Sequence, residues 1–198
     1  MIYFVRKRLV LLSLALLALS CTGEEEEEVI APKEAAAEEG TIYSINAGGH
    51  ETTNPFKFLN TSKVKFEVRF DSTAIYATKD PGNQADINKL YGMADCSTLH
   101  HENSARFGWR WYNNQLELHA YSYKAGKNAS TFITAIDLKK TYTCELTLAD
   151  GKYIYKIGDK TVEHERGCSG EGKGYQLYPY FGGDETAPHD IKIKIKVL

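Results

Sequence analysis

Two neighbouring stretches, SARFGWRWY at 104–112 and QLELHAYSYK at 115–124, carry side chains suited to chemistry. Alternation puts Phe107, Trp109 and Trp111 on one side of the first and Arg106, Gly108, Arg110 and Tyr112 on the other. In the second, Leu116, Leu118 and Ala120 share a side, leaving Glu117, His119, Tyr121 and Tyr123 opposite. The intervening Asn113-Asn114 has the length of a hairpin turn, so the two segments are expected to pair. Their outer sides then present Arg106, Arg110, Glu117, His119, Tyr121 and Tyr123 together. Guanidinium groups form paired hydrogen bonds to carboxylates and sulfates, and aromatic rings cover apolar C–H faces, so the set suits recognition of an acidic glycan. It also contains what elimination from a uronate needs: Arg106 or Arg110 to neutralise the carboxylate, and His119 and Tyr121 to move the protons. Glycoside hydrolysis would need a second carboxylate beside Glu117, and none is evident. Cross-strand pairing and cation-π support of a twisted sheet explain the same residues without any ligand, and the two explanations stay open at this point.

A second constellation, YQLYPYFGGDETAPHDI at 175–191, adds Tyr178 and Tyr180 as ring donors and Gly182-Gly183 as a sharp turn. With the final strand pattern, this stretch resembles the closing strands of concanavalin-A-like and related jelly rolls, which include carbohydrate-binding modules and alginate-lyase-like polysaccharide lyases. The resemblance implies a sheet face that binds extracellular glycan, and a structural calcium for which Asp190 is the expected oxygen ligand. An aspartate at the start of a strand also serves as a turn residue without any metal. No other cofactor is expected. The usual catalytic signatures of those lyases are absent, so binding without catalysis is the first expectation, with a polysaccharide lyase acting on a uronate polymer and a purely structural envelope lipoprotein as the alternatives. Searches for a nucleophile elbow, HExxH or paired CxxC find nothing. LHHENS holds His100 and His101, but adjacent strand residues point oppositely, which argues against zinc.

The elements that must position these residues have a period of two. In KVKFEVRF, Val64, Phe66, Val68 and Phe70 alternate with charges, and HDIKIKIKVL repeats the device with Ile191, Ile193, Ile195 and Val197. TIYSI, TAIYAT, TFITAI, YTCELTLA, KYIYKIG, KTVEH and YQLYPYF read as further strands between turn signals. About eleven short strands and no amphipathic helix predict an all-β fold, a two-sheet antiparallel β-sandwich or jelly roll. ADINKLYG is expected to form a helical turn at most. Cys96 and Cys168 lie in polar loop sequence and are predicted to pair, an expected stabilisation of about 3 to 5 kcal/mol. Cys144 shares a strand side with Tyr142, Leu146 and Leu148 and reads as a buried thiol.

The amino-terminal region has a different character. Arg6, Lys7 and Arg8 precede an apolar run from Leu9 to Leu19, too short to span a bilayer and laid out as a secretory signal. Ala18, Leu19 and Ser20 before Cys21 resemble the lipobox of bacterial lipoproteins, in which the cysteine is lipidated. The run Glu24 to Glu28 resembles the acidic export signal of Bacteroidetes surface lipoproteins, although glutamates in a row also make a simple solvated spacer. The expected organisation is residues 1–20 signal peptide, 21–40 lipidated cysteine and acidic tether, and 41–198 β-sandwich. Of 24 basic and 26 acidic residues, the last segment holds 20 and 18, so the acidity belongs to the tether. A near-neutral domain without a basic stripe argues against nucleic acid. The implied location is the outer-membrane surface, with extracellular glycan and other envelope proteins as candidate partners.

Overall fold

A computed structural model describes residues 39–198. The expected signal peptide, Cys21 and most of the acidic tether lie outside the described residues. Twelve strands follow in order: β1 Thr41–Ile45, β2 Phe58–Thr61, β3 Lys63–Phe70, β4 Asn88–Ala94, β5 Ser104–Tyr112 and β6 Gln115–Lys124, then β7 Lys127–Ile136, β8 Thr141–Ala149, β9 Lys152–Ile157, β10 Lys160–Glu165, β11 Gly172–Leu177 and β12 Ile191–Val197. They form two six-stranded sheets, a back sheet ordered β1-β12-β3-β8-β9-β10 and a front sheet ordered β2-β11-β4-β5-β6-β7. Every strand pair is antiparallel. The expected all-β sandwich is the observed fold.

Alternation explains most of the core. From the back sheet Phe66, Phe70, Cys144, Leu146, Tyr153, Tyr155, Ile191 and Ile193 are fully buried, as are Leu90, Met93, Phe107, Trp109 and Leu118 from the front sheet. Edge-on aromatic contacts join the layers, with Phe66 5.6 Å from Phe107 and Tyr155 5.3 Å from Phe107. Each such side chain contributes roughly 1.5–3 kcal/mol of hydrophobic stabilisation.

Several segments differ from the sequence expectation. ADINKLYG does not end in a helical turn: Asn88 onward is β4, inside the front sheet. Its pairing to β5 shifts register between Lys89 and Gly92, so Leu90 and Met93 both reach the core despite opposite parity. That bulge erases the alternation by which a strand is read. TAIYAT forms no strand; a short 3₁₀ turn, Ser72–Ala74, with Asp71 capping the Thr73 amide, precedes irregular chain. The β2 segment carries too short a pattern to be noticed, and YQLYPYF is strand only as far as Leu177.

Cys96 and Cys168 are bonded, with Cα atoms 5.8 Å apart and a sequence separation of 72. Cys144 is free and buried, and burial pushes its thiol well up from the ordinary value. Beside the disulfide, Asp95 and Arg166 form an ion pair at 2.6 Å with both side chains fully buried.

Candidate functional site: a cleft on the front sheet

Asn113 and Asn114 both adopt positive φ, 50° and 59°, the conformation of a two-residue hairpin turn whose twist matches its strands. That turn fixes the register, so Arg110 faces Glu117, Gly108 faces His119, Arg106 faces Tyr121 and Ser104 faces Tyr123. The six residues singled out in the sequence do share one side of the hairpin, but they divide into two groups.

The first group is self-contained. Arg110 Nε donates to Glu117 Oε2 at 2.7 Å and Nη1 donates to the Ala85 carbonyl at 2.6 Å, while the guanidinium lies 4.3 Å from the Tyr112 ring centroid. His119 Nε2 is 3.0 Å from the same Glu117 oxygen, and its residue is only 4% exposed. Burial lowers the His119 pKa and outweighs the Glu117 hydrogen bond that favours the charged form. A neutral His119 therefore donates Nε2–H to Glu117, and the carboxylate is shared between two donors. Arg110, Glu117 and His119 satisfy one another, as the cross-strand explanation requires.

Arg106 is different. Its residue is 7% exposed, yet among the described residues no carboxylate pairs with it, and its Nε is buried without a hydrogen-bond partner. Its guanidinium carbon is 5.6 Å from the Tyr121 ring centroid, and Lys89 Nζ is 5.0 Å from the same centroid. Burial holds the Arg106 and Lys89 pKa values below their usual ranges. Burial would raise the Tyr121 phenol, but the Asn128 hydrogen bond, Lys89, Tyr123 and Arg106 outweigh it, and the group falls below the ordinary tyrosine value. Tyr123 is pushed up to about 12 by burial and by Tyr121.

Arg106 lines a cleft of about 290 Å³ together with Glu51, Asn54, Pro55, Phe56, His100, Tyr175, Tyr178 and Tyr180. Both tyrosines named from the sequence, Tyr178 and Tyr180, thus stand with Arg106. Tyr178 Oη donates to the Pro55 carbonyl at 3.1 Å, and His50 stacks on Tyr180 with ring centroids 5.2 Å apart. Backbone bridges from Tyr180 to Glu51 and to Lys89 tie this part of the lining to the sheet. His100 Nδ1 is 2.8 Å from the Tyr175 hydroxyl, and burial, Arg106 and His101 lower its pKa to about 4, so it is neutral at pH 7. Gly92, the register partner of Arg106, admits no side chain: a Cβ there would strike the Ala105 carbonyl and the Arg106 Cα and Cβ.

Among the residues that sequence reasoning did not assign are His100, Phe56 and Tyr175, which line the cleft, and Lys89, which lies over the Tyr121 ring beside it. Lys89 sat in the segment read as a helical turn, and His100 was weighed only as a metal ligand. Asp190 Oδ1 accepts the Ala47 amide at 2.8 Å, clasping the loop after β1 to the start of β12. A calcium ion at Asp190 would share that oxygen with the amide. Among the described residues one group of three side chains has metal-ligand spacing, Asp95, Cys96 and Cys168, and the two cysteines are joined to each other.

Neither a scan against protein-family models nor a search of curated proteins finds a match. Solved structures do. The chain resembles alginate lyase AlyC3, with TM-score 0.53 and 13% identity over 81% of this chain and 74% of that one. It is similar to alginate lyase vAL-1 from Chlorella virus, with TM-score 0.51 and 11% identity over 79% and 81% of the two chains. Alginate lyase A1-II′, a member of polysaccharide lyase family-7, gives TM-score 0.51 and 12% identity over 80% and 79%. At such identities the likeness defines the class of fold, a jelly-roll β-sandwich shared with these lyases.

Proposed function

We propose that the front-sheet cleft binds an acidic extracellular glycan, with Arg106 meeting a carboxylate or sulfate. The observation that carries this is the buried guanidinium without an acidic partner. Leaving a buried charge uncompensated costs several kcal/mol, and the other arginines described above, Arg110 and Arg166, each have a carboxylate. A ligand anion would supply the missing counterion, and Tyr178 and Tyr180 would meet the sugar ring. The fold likeness to alginate lyases supports a polyuronate as the first ligand to try.

The test is Arg106→Met compared with the parent on a panel of polyuronates and neutral polysaccharides. Affinity for the acidic polymer should fall at least tenfold, the usual consequence of removing one partner of a buried charge pair at an interface. The melting temperature should hold or rise, because an orphaned charge has been removed. Unchanged affinity in Arg106→Met would sink the proposal.

A second reading, polysaccharide lyase, draws on one observation, the Tyr121 ring with both Lys89 and Arg106 over it, which help hold its phenol below the ordinary tyrosine value. In such an elimination a base takes the proton next to the uronate carboxylate, that electron pair forms the new double bond, and the departing oxygen leaves with a proton from an acid. Steady release of unsaturated uronate by the parent, lost in Tyr121→Phe with binding retained, would establish it. Binding without release leaves a glycan-binding protein.

In the same reading the protein is a lipoprotein held at the outer-membrane surface through Cys21, with the Glu24 to Glu28 segment directing display. Cys21→Ser should move it from the membrane fraction to the soluble fraction. Unchanged fractionation would refute the anchor.

A further inference from the structure

The edge of the front sheet carries a second surface next to the cleft. Phe56, Phe58 and Leu99 are 67%, 80% and 71% exposed, an unusual density of large apolar side chains on one patch. They are ordered against one another: Phe56 meets Phe58 edge-on at 4.8 Å and lies 5.2 Å from the Tyr175 ring at a 32° tilt. The edge strand β2 pairs with β11 so that Phe58 is directly opposite Tyr175, placing both on one side of the sheet. Edge strands are usually blunted by charge or proline, and this one displays a phenylalanine.

With Leu99, these rings line an open groove of about 810 Å³ whose rim includes Asn60, Thr98 and Lys173. Phe56, His100, Tyr175 and Leu177 belong to both this groove and the Arg106 cleft. The two hollows therefore adjoin. They lie along a row that crosses the strands, since Leu177, Gly92 and Arg106 are register partners through β11, β4 and β5.

We propose that this groove holds the sugar units that follow the one bound at Arg106, their apolar ring faces lying on Phe56, Phe58 and Tyr175 and their acidic groups toward Lys173. The ligand is then a linear acidic polysaccharide engaged over several units, not a monosaccharide or a branched chain end. A groove of aromatic side chains with Asn60, Thr98 and Lys173 in its lining, adjoining a cleft lined by a guanidinium, matches a polymer with apolar ring faces and regular negative charge. This rests on the reading of the Arg106 cleft, and the two can fail separately.

The experiment is calorimetric titration of the parent, Phe58→Ser and Arg106→Met with a uronate disaccharide and a uronate octasaccharide. In Phe58→Ser the octasaccharide should bind roughly tenfold more weakly, the effect of losing one aromatic anchor, while the disaccharide binds as to the parent. Arg106→Met should weaken both. Leu99→Ser, at another exposed position in the groove lining, should repeat the length-dependent loss. If Phe58→Ser and Leu99→Ser both keep the parent's octasaccharide affinity, the groove is not part of the site and the Arg106 reading stands. If the parent binds neither oligosaccharide, the Arg106 reading itself falls. A parent that sediments as a dimer and becomes a monomer in Phe58→Ser would assign the patch to self-association and overturn the inference.

Discussion

Arg166→Met should lower the unfolding free energy by about 3–5 kcal/mol, because it strands the Asp95 carboxylate in the interior without its counterion. Asp95 accepts Arg166 Nε at 2.6 Å and Nη2 at 3.3 Å, the Tyr153 hydroxyl at 3.0 Å and the Lys173 amide at 3.1 Å. Arg166 Nη1 donates to the carbonyls of Ala149 at 3.0 Å and Gly170 at 2.8 Å. One guanidinium thus ties the end of β4 to the end of β8 and to the loop before β11. Its loss leaves two carbonyls and a charge with fewer partners, and each unsatisfied group adds to the cost. The double variant Asp95→Leu, Arg166→Met removes both charges and should be less destabilised than Arg166→Met alone. Chemical denaturation of the two variants and the parent checks this, and a double variant at least as unstable as the single one would contradict it.

Removing the disulfide should have an effect of similar size. Separating Cys96 from Cys168 opens a loop spanning 72 positions, for which chain entropy gives about 4 kcal/mol. At about 3 °C per kcal/mol for a domain of this size, the melting temperature of Cys96→Ser, Cys168→Ser should fall by roughly 12 °C. The bond also holds the loop that follows Cys96, in which Cys96 and Ser97 take positive φ of 55° and 57° and which carries Leu99 and His100 to the groove. Ligand affinity measured below the melting transition should therefore fall as well, whereas Arg166→Met, which leaves the cross-link in place, should lose stability more than affinity. A double cysteine variant with the parent's melting temperature would show that the bond contributes little.

The alternating strands were legible in the sequence because burial on one face and water on the other writes a period of two into residue type. Phe66 and Phe70, Trp109, and Ile191 to Ile195 could be assigned to the core on that ground alone. The Asn113-Asn114 turn did more, since a two-residue hairpin leaves no freedom in register, and the opposition of Arg110 to Glu117 and of Arg106 to Tyr121 follows from it. The cysteine pairing was legible from the polar setting of Cys96 and Cys168 against the apolar strand around Cys144.

What the sequence by itself did not decide was which of these polar residues are used up by their neighbours. Arg106 and Arg110 look alike in a row of alternating side chains. One is paired with Glu117 and also donates to the Ala85 carbonyl, and the other lies over Tyr121 with no carboxylate paired to it among the described residues, because the register puts a phenol opposite it. Nor could the pattern reveal β4, whose bulge and burial on both faces remove the alternation, and with it the place of Lys89. The cleft's lining comes from Glu51, Thr52 and Asn54 to Phe56, from His100 and from Tyr178 and Tyr180, segments far apart in the chain that are joined by the bridges at Tyr180, the pairing of β2 with β11 and the Tyr178–Pro55 and His100–Tyr175 hydrogen bonds. Local periodicity reports which face of a strand is dry. The environment of one charge depends on contacts between distant strands, and only the tertiary structure holds those.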